Sequence, residues 1–260
     1  MQLKFGLKKE WMEYFGTKRW LAFFLPILFF IIADPIVILI TPLIMESMSA
    51  IPGMEALSGQ IQANQAMALQ AFSADFMNMG LLALVLSMMR TAGGDQKNHS
   101  CVIPICNGFS RSVYILAKFI VYPAVAFVSA FASFGLVYIY SGFLFSDHVT
   151  LLDALPAAMA FGLFMAFAAA LMLSVGCMTG KAGISAIIVY IVIYFVSVFL
   201  TMIQVNRFSP LALMQYASDY TGAVDWEYFL TIAITLAAGV LLYFLTAAVF
   251  QKCLLNKSKS

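Results

Sequence analysis

Long apolar runs alternate with short polar segments along this chain, and the length of those runs decides the fold class. Six runs are long enough to cross a hydrocarbon core, which takes about 20 helical residues. They are Trp20–Met45, Ala71–Met89, Tyr114–Phe145, Leu155–Met178, Ile184–Val205 and Tyr228–Phe250. The pattern predicts an all-α integral membrane protein with six transmembrane helices, and one membrane domain over residues 1–260.

Composition supports the same class. The chain is 63% hydrophobic and only 10% charged, whereas a soluble domain is about half apolar and about a quarter charged. A water-soluble fold of this size cannot bury so large an apolar excess. We therefore expect a multi-pass protein of the cell (cytoplasmic) membrane.

The basic residues predict the orientation, because cytoplasmic loops carry an excess of Lys and Arg. With the N-terminus inside, all of the 14 Lys and Arg residues except Arg207 fall in cytoplasmic segments or at cytoplasmic helix ends. Both termini are thus expected in the cytoplasm. The topology accounts for the positive charge, so no nucleic-acid partner is expected.

The segment before the first run has the pattern of a helix that lies in the membrane interface. Over residues 4–19, apolar and aromatic side chains recur at helical spacing and charged ones fall on the other face. The first set is Leu7, Trp11, Tyr14 and Phe15; the second is Lys9, Glu10 and Glu13. This predicts an N-terminal amphipathic interfacial helix; the alternative is a charged tail of no fixed shape.

Two polar segments resemble chemical motifs without completing them. His99, Cys101 and Cys106 crowd together, but a structural zinc site needs four ligands and only Asp95 is near as a fourth. The stretch GCMTGKAG, residues 176–183, has a glycine-lysine turn, but it lacks the spacing and the hydroxyl of a phosphate-binding loop. We expect no metal site and no ATP binding by this chain.

Hydrolase chemistry is also unexpected. The two histidines, His99 and His148, fall on opposite sides of the predicted membrane, and no H-E-x-x-H motif is present. We expect no enzyme activity and no cofactor in this chain.

One acidic residue lies well inside a predicted span. Asp34 is followed at once by Pro35, and an intramembrane carboxylate often marks a transport pathway. Alternatively, Asp34 caps a helix broken at the proline or is hydrated near the outer interface. Both interpretations stay open, and Asp34 and Pro35 are candidate pathway residues.

The order of these elements resembles a known family. A basic-aromatic helix (FGLKKEWMEYFGTKRW) leads into a proline-containing first span, and IPICNGFSRSVYILAKF runs from a cytoplasmic segment directly into the third span. A S-P-L-A-L element follows the fifth span. This arrangement resembles the membrane (permease) subunit of an ABC transporter, of the ABC-2-type six-helix exporter family, over essentially the whole chain.

The resemblance implies a coupling segment, residues 93–113, that contacts a separate ATPase subunit present in two copies. The implied contact residues are Ile103, Pro104, Cys106, Asn107, Gly108, Phe109 and Arg111, with a secondary cytoplasmic contact at Gly180 and Lys181. ATP and Mg would bind the partner ATPase. A second permease copy or a paralogue would complete the export path, which helices one, two and five would line or flank within the membrane lipid.

The function expected from the resemblance is ATP-driven export of a peptide, a drug or a lipid-like substrate. Two alternatives come from other classes: a secondary transporter driven by an ion gradient, and a non-transporting immunity or sensor protein. The first would need several intramembrane ionisable groups or inverted repeats, and the sequence offers Asp34 without a repeat.

Overall fold

The structure is a computed structural model that describes residues 2–48, 63–97, 104, 106, 108–203, 209–220 and 224–257. Every regular element in these ranges is helical, which confirms the predicted all-α class. Six helices are long and apolar enough to cross a membrane. The prediction of a six-span membrane protein is therefore confirmed.

The helices follow the chain in the predicted order. They are α1 (Gln2–Gly16), α2 (Arg19–Met48), α3 (Gln65–Asp75), a π-helix (Phe76–Gly80), α4 (Leu81–Lys97), α5 (Arg111–Leu144), α6 (Leu151–Thr179), α7 (Ala182–Met202), a 3₁₀ turn (Pro210–Ala212), α8 (Leu213–Tyr216) and α9 (Trp226–Lys257). The spans are Trp20–Ser47, Gln65–Thr91, Arg111–Leu144, Leu151–Thr179, Ala182–Leu200 and Trp226–Phe250. The second span thus consists of α3, the π-helix and most of α4.

Polar caps explain where three spans begin. The side chains of Asn64, Ser110 and Thr150 each accept a hydrogen bond from a backbone N–H in the first turn of the following helix. Such caps satisfy N–H groups that have no partner within the helix. All three spans begin a few residues before the apolar runs do, because the cap, and not hydropathy, sets the first turn.

The fourth span lies at the centre of the bundle and packs against the second, third, fifth and sixth. Its Phe161 ring is 4.6 Å from that of Phe76 in the second span and 6.1 Å from that of Phe134 in the third. The first, fifth and sixth spans leave long apolar faces uncovered. These faces suit contact with lipid or with another membrane helix.

The bundle has two ends that differ in chemistry. The third and fourth spans form a hairpin, so the start of the third lies at the same end as the close of the fourth. Tyr114 stacks there on Phe250, with ring centroids 6.0 Å apart, and α1 packs against the same part of the third span. We call this the N-terminal end and the other the distal end.

Neutral hydrogen bonds hold the distal end. Gln65 donates to the carbonyl oxygen of Tyr138 at 2.9 Å and accepts from the N–H of Val149 at 2.8 Å. The hydroxyls of Tyr220 and Ser73 are 2.9 Å apart and share a hydrogen bond. An uncharged amide and two hydroxyls thus join the helices at this end.

Candidate functional site

The coupling segment is described at a subset of its residues. Pro104 and Cys106 are helical, Cys106 is exposed, and the carbonyl of Pro104 accepts from the N–H of Phe109 at 3.1 Å. Ile103 and Asn107 lie outside the described residues. This hydrogen bond closes a compact turn from Pro104 to Phe109 just before the third span.

Both glycines predicted at cytoplasmic contacts have backbone conformations that favour glycine. Gly108 has a φ of 86° and Gly180 a φ of 61°, in the region that a Cβ disfavours. The Gly180 N–H donates to the carbonyl of Gly176 at 3.0 Å and closes the fourth span, and exposed Lys181 follows. Half-buried Arg111 begins the third span.

Helix α1 contacts this turn directly. The Gln2 side-chain amide donates to the carbonyl oxygen of Gly108 at 3.0 Å. A Cβ at Gly6 would lie 3.2 Å from the Phe109 ring and 3.1 Å from the Ala117 side chain, so glycine allows α1 to approach closely without displacing these neighbours. Contact of α1 with the coupling segment was not predicted from the sequence.

A buried ion pair fixes α1 to the third span. The Lys118 ammonium donates to Glu10 Oε2 at 2.8 Å and to the carbonyl oxygen of Thr91 at 3.2 Å. The Tyr122 hydroxyl also donates to Glu10 Oε2, at 3.4 Å. Glu10 and Lys118 are almost completely buried. Because a buried charge is costly unless it is paired, these groups define one position of α1 on the bundle.

A second lysine completes the cluster. Lys9 contacts Glu10 at 2.8 Å and Glu13 at 3.1 Å. The ammonium groups of Lys9 and Lys118 are 5.0 Å and 5.1 Å from the centre of the Tyr114 ring, which suits cation–π attraction. We call Lys9, Glu10, Tyr114, Lys118 and Tyr122 the N-terminal charge cluster.

The cluster corrects the predicted faces of α1. Glu10 was assigned to the polar face, but its side chain is fully buried against the third span. Tyr14 is also buried, and burial raises the pKa of its hydroxyl to about 12. The sequence signal for the pair was Lys118 itself, since a lysine inside an apolar run requires a partner.

A second group of charges lies in the middle of the bundle. Asp34 is only 6% exposed and its Oδ2 has no hydrogen-bond partner. Its carboxyl group lies within electrostatic and hydrogen-bonding range of Asp75. Pro35, beside it, is buried in the uninterrupted helix α2, so the predicted cap at a helix break is wrong.

Asp75 is a functional candidate that the sequence analysis did not single out. The structure places it at the last residue of α3, inside the second span, directly before the π-helix Phe76–Gly80. The sequence signal that could have identified Asp75 was its position within the predicted span Ala71–Met89. The two carboxylates come together because the first and second spans pack against each other.

The described residues contain no group of three or more metal-ligating side chains. Of the soft ligands near the coupling segment, His99 and Cys101 lie outside those residues. No family model, curated protein or solved structure matches this chain.

Proposed function

We propose that this chain is the permease subunit of an ABC exporter of the ABC-2 type, powered by a separate ATPase. The proposal rests on one arrangement. The chain has six spans, a short helical turn precedes the third span, and α1 is bonded to both the turn and the third span. The chain offers no phosphate-binding loop, so its energy would come from a partner or from an ion gradient.

In this mechanism, movement of the ATPase subunits pushes on the turn from Pro104 to Phe109. The turn runs through the Ser110 cap into α5, a helix of 34 residues. A long helix transmits a push at one end along the whole span. Because α1 touches Gly108 and is paired to Lys118, it would move with the third span.

A native cysteine allows a direct test of this contact. In a variant that keeps exposed Cys106 as its only cysteine, a short thiol-reactive crosslinker applied to cells should capture an ATPase subunit, identified by mass spectrometry. The matched control has His148→Cys as its only cysteine, because His148 is exposed at the distal end. Crosslinking by both variants, or by neither, would contradict the assigned contact.

The complex itself is tested by tag purification in mild detergent. We expect a stoichiometric ATPase and a second permease copy or paralogue to co-purify, and export of the cargo to stop when ATP is depleted. Absence of any ATPase from the complex would refute the proposal.

The acid pair Asp34–Asp75 supports a second candidate function, a secondary transporter driven by an ion gradient. Intramembrane carboxylates are typical of such proteins. An ionophore distinguishes the two: collapse of the gradient at constant ATP should leave export intact in the ABC exporter and abolish it in the secondary transporter.

A further inference from the structure

The acid pair Asp34–Asp75 brings two carboxyl groups together within the described membrane helices. Asp34 lies near the middle of the first span with an unpartnered oxygen, more than nine-tenths buried and beside a second carboxyl group. Two carboxylates this close in a medium of low dielectric constant disfavour each other's charge. A proton shared between the two carboxyl groups relieves part of the repulsion and leaves one negative charge, which a cation beside the pair would neutralise.

No basic side chain in the six described spans is placed to supply that charge. The only Lys and Arg residues in those ranges are Arg90, Arg111 and Lys118. Arg90 is fifteen positions along the second span from Asp75, about 22 Å at ~1.5 Å per residue. Arg111 begins its span at the N-terminal end, and Lys118 is bonded to Glu10. A cation that neutralises the remaining negative charge would therefore come from outside these helices.

The second carboxylate is accessible. Asp75 is exposed, and so is Asn78 one turn further along the second span. Asn78 is already satisfied: its amide donates to the carbonyl of Ala74 at 2.8 Å, and its oxygen accepts from the Tyr194 hydroxyl at 2.6 Å. This polar strip, Asp75, Asn78 and Tyr194, would be costly against lipid, so it suits a wet path or a bound molecule.

The backbone at this point is also unusual. Asp75 immediately precedes the π-helix Phe76–Gly80, and π-helical turns inside α-helices are frequent at functional sites. A Cβ at Gly80 would lie 2.5 Å from the Phe76 ring, so the turn depends on glycine. This local distortion is independent of the charges, and it occurs at the residue that carries one of them.

The surroundings favour an organic cation over a metal ion. Ca²⁺ and Mg²⁺ take six or more oxygen ligands, and no larger group of metal ligands occurs in the described residues. The rings of Tyr190 and Tyr194 lie 4.7 Å apart beside Asn78, and Met79 next to them is exposed. Aromatic faces attract ammonium groups, and exposed apolar side chains suit the rest of a lipophilic molecule.

We infer that Asp34 and Asp75 form a binding site for a lipophilic organic cation with a single positive charge. In this site, Asp75 contacts the positively charged group of the ligand from the accessible side. The Asp34 carboxyl group lies behind Asp75, and Tyr190 and Tyr194 offer aromatic surface. This inference deepens the proposed function, on which it rests, by naming the class of cargo.

The test uses the full-length protein in lipid nanodiscs and ethidium, a permanently charged aromatic cation, as the probe. Fluorescence anisotropy should show saturable binding. Asp34→Asn and Asp75→Asn should each weaken it by about tenfold or more, the effect of losing one favourable charge contact of at least ~1.4 kcal/mol. Asp75→Glu keeps the negative charge and should retain most of the affinity for ethidium. That result would show that substitution at this position leaves the site folded.

The matched control is Asp147→Asn, which removes an exposed carboxylate in the connection between the third and fourth spans and should leave binding unchanged. Equal affinity in wild type, Asp34→Asn and Asp75→Asn would overturn the inference, as would equal losses in all three Asp→Asn variants. ATPase co-purification distinguishes a failure of the cation site from a failure of the ABC assignment. An ATPase with charge-independent ethidium binding refutes only the cation site, whereas charge-dependent binding without an ATPase refutes only the ABC assignment.

Discussion

The N-terminal charge cluster and the acid pair Asp34–Asp75 both place ionised groups among membrane helices, with opposite outcomes. In the cluster, Glu10 and Lys118 neutralise each other at 2.8 Å, and the Thr91 carbonyl and the Tyr122 hydroxyl provide further hydrogen bonds. In the acid pair, two like charges meet and one oxygen of Asp34 has no partner. The first arrangement pairs opposite charges within the protein and fastens helices, whereas the second leaves negative charge that a cation from outside could neutralise.

The largest expected effect comes from breaking the complete pair. Lys118→Met removes the buried cation from Glu10 and leaves only the partly exposed Lys9 beside it, and loss of one partner of a buried pair costs up to about 3–5 kcal/mol. We expect a large loss of thermal stability in detergent, followed by size-exclusion chromatography after heating. The double variant Glu10→Leu/Lys118→Met should recover most of that loss, because a matched apolar pair replaces a buried ion pair at little cost. A double variant as unstable as the single one would contradict the pairing.

The next effect concerns the backbone that presents Asp75. Gly80→Ala introduces a Cβ against Phe76, whose ring is held 4.6 Å from Phe161. We expect a loss of about 1–3 kcal/mol from overpacking and weaker ethidium binding. Gly135→Ala is the matched control, since a Cβ there meets nothing within 4 Å, and it should be neutral or stabilising. Equal behaviour of the two variants would show that the π-helix tolerates a side chain.

Removing one of the two like charges should raise the stability of the protein, whereas the two preceding variants lower it. Asp75→Asn relieves repulsion with Asp34, so we expect a rise in melting temperature of about 2–4 °C, the shift that ~1 kcal/mol produces in a chain of this size. Binding and export should fall at the same time. A fall in melting temperature with intact binding would mean that the acid pair is structural.

The smallest effect tests how much a long hydrogen bond adds to the cluster. Tyr122→Phe removes a hydroxyl that lies 3.4 Å from Glu10 Oε2, and we expect a loss below about 1 kcal/mol. Tyr138→Phe removes a shorter bond of 2.8 Å to the Val149 carbonyl at the distal end and should cost more. The reverse order in thermal melts would assign Tyr122 a larger part in holding Glu10.

The helices were predictable because their signals are local. Apolar run lengths predict all six spans, and Asn64, Ser110 and Thr150 show why the observed starts precede the apolar runs. The orientation in the membrane and the ATPase contact stay predictions.

The pairings were not predictable because they join distant parts of the chain. Glu10 and Lys118 are 108 positions apart, and nothing near either residue specifies the other. Asp75 was not singled out because hydropathy alone does not show which residue of another helix a polar side chain meets. The π-helix has no local sequence signal beyond Gly80, where a Cβ would lie 2.5 Å from the Phe76 ring.

The pairing of Glu10 with Lys118 has a consequence for how the protein is made. Glu10 leaves the ribosome 108 residues before its partner, which at about 5–20 residues per second is roughly 5–20 s. During that interval α1 has a charge that must stay in contact with water. Helix α1 can therefore reach its final position only after the third span has been inserted, so biogenesis of the N-terminal end is completed late although its sequence is synthesised first.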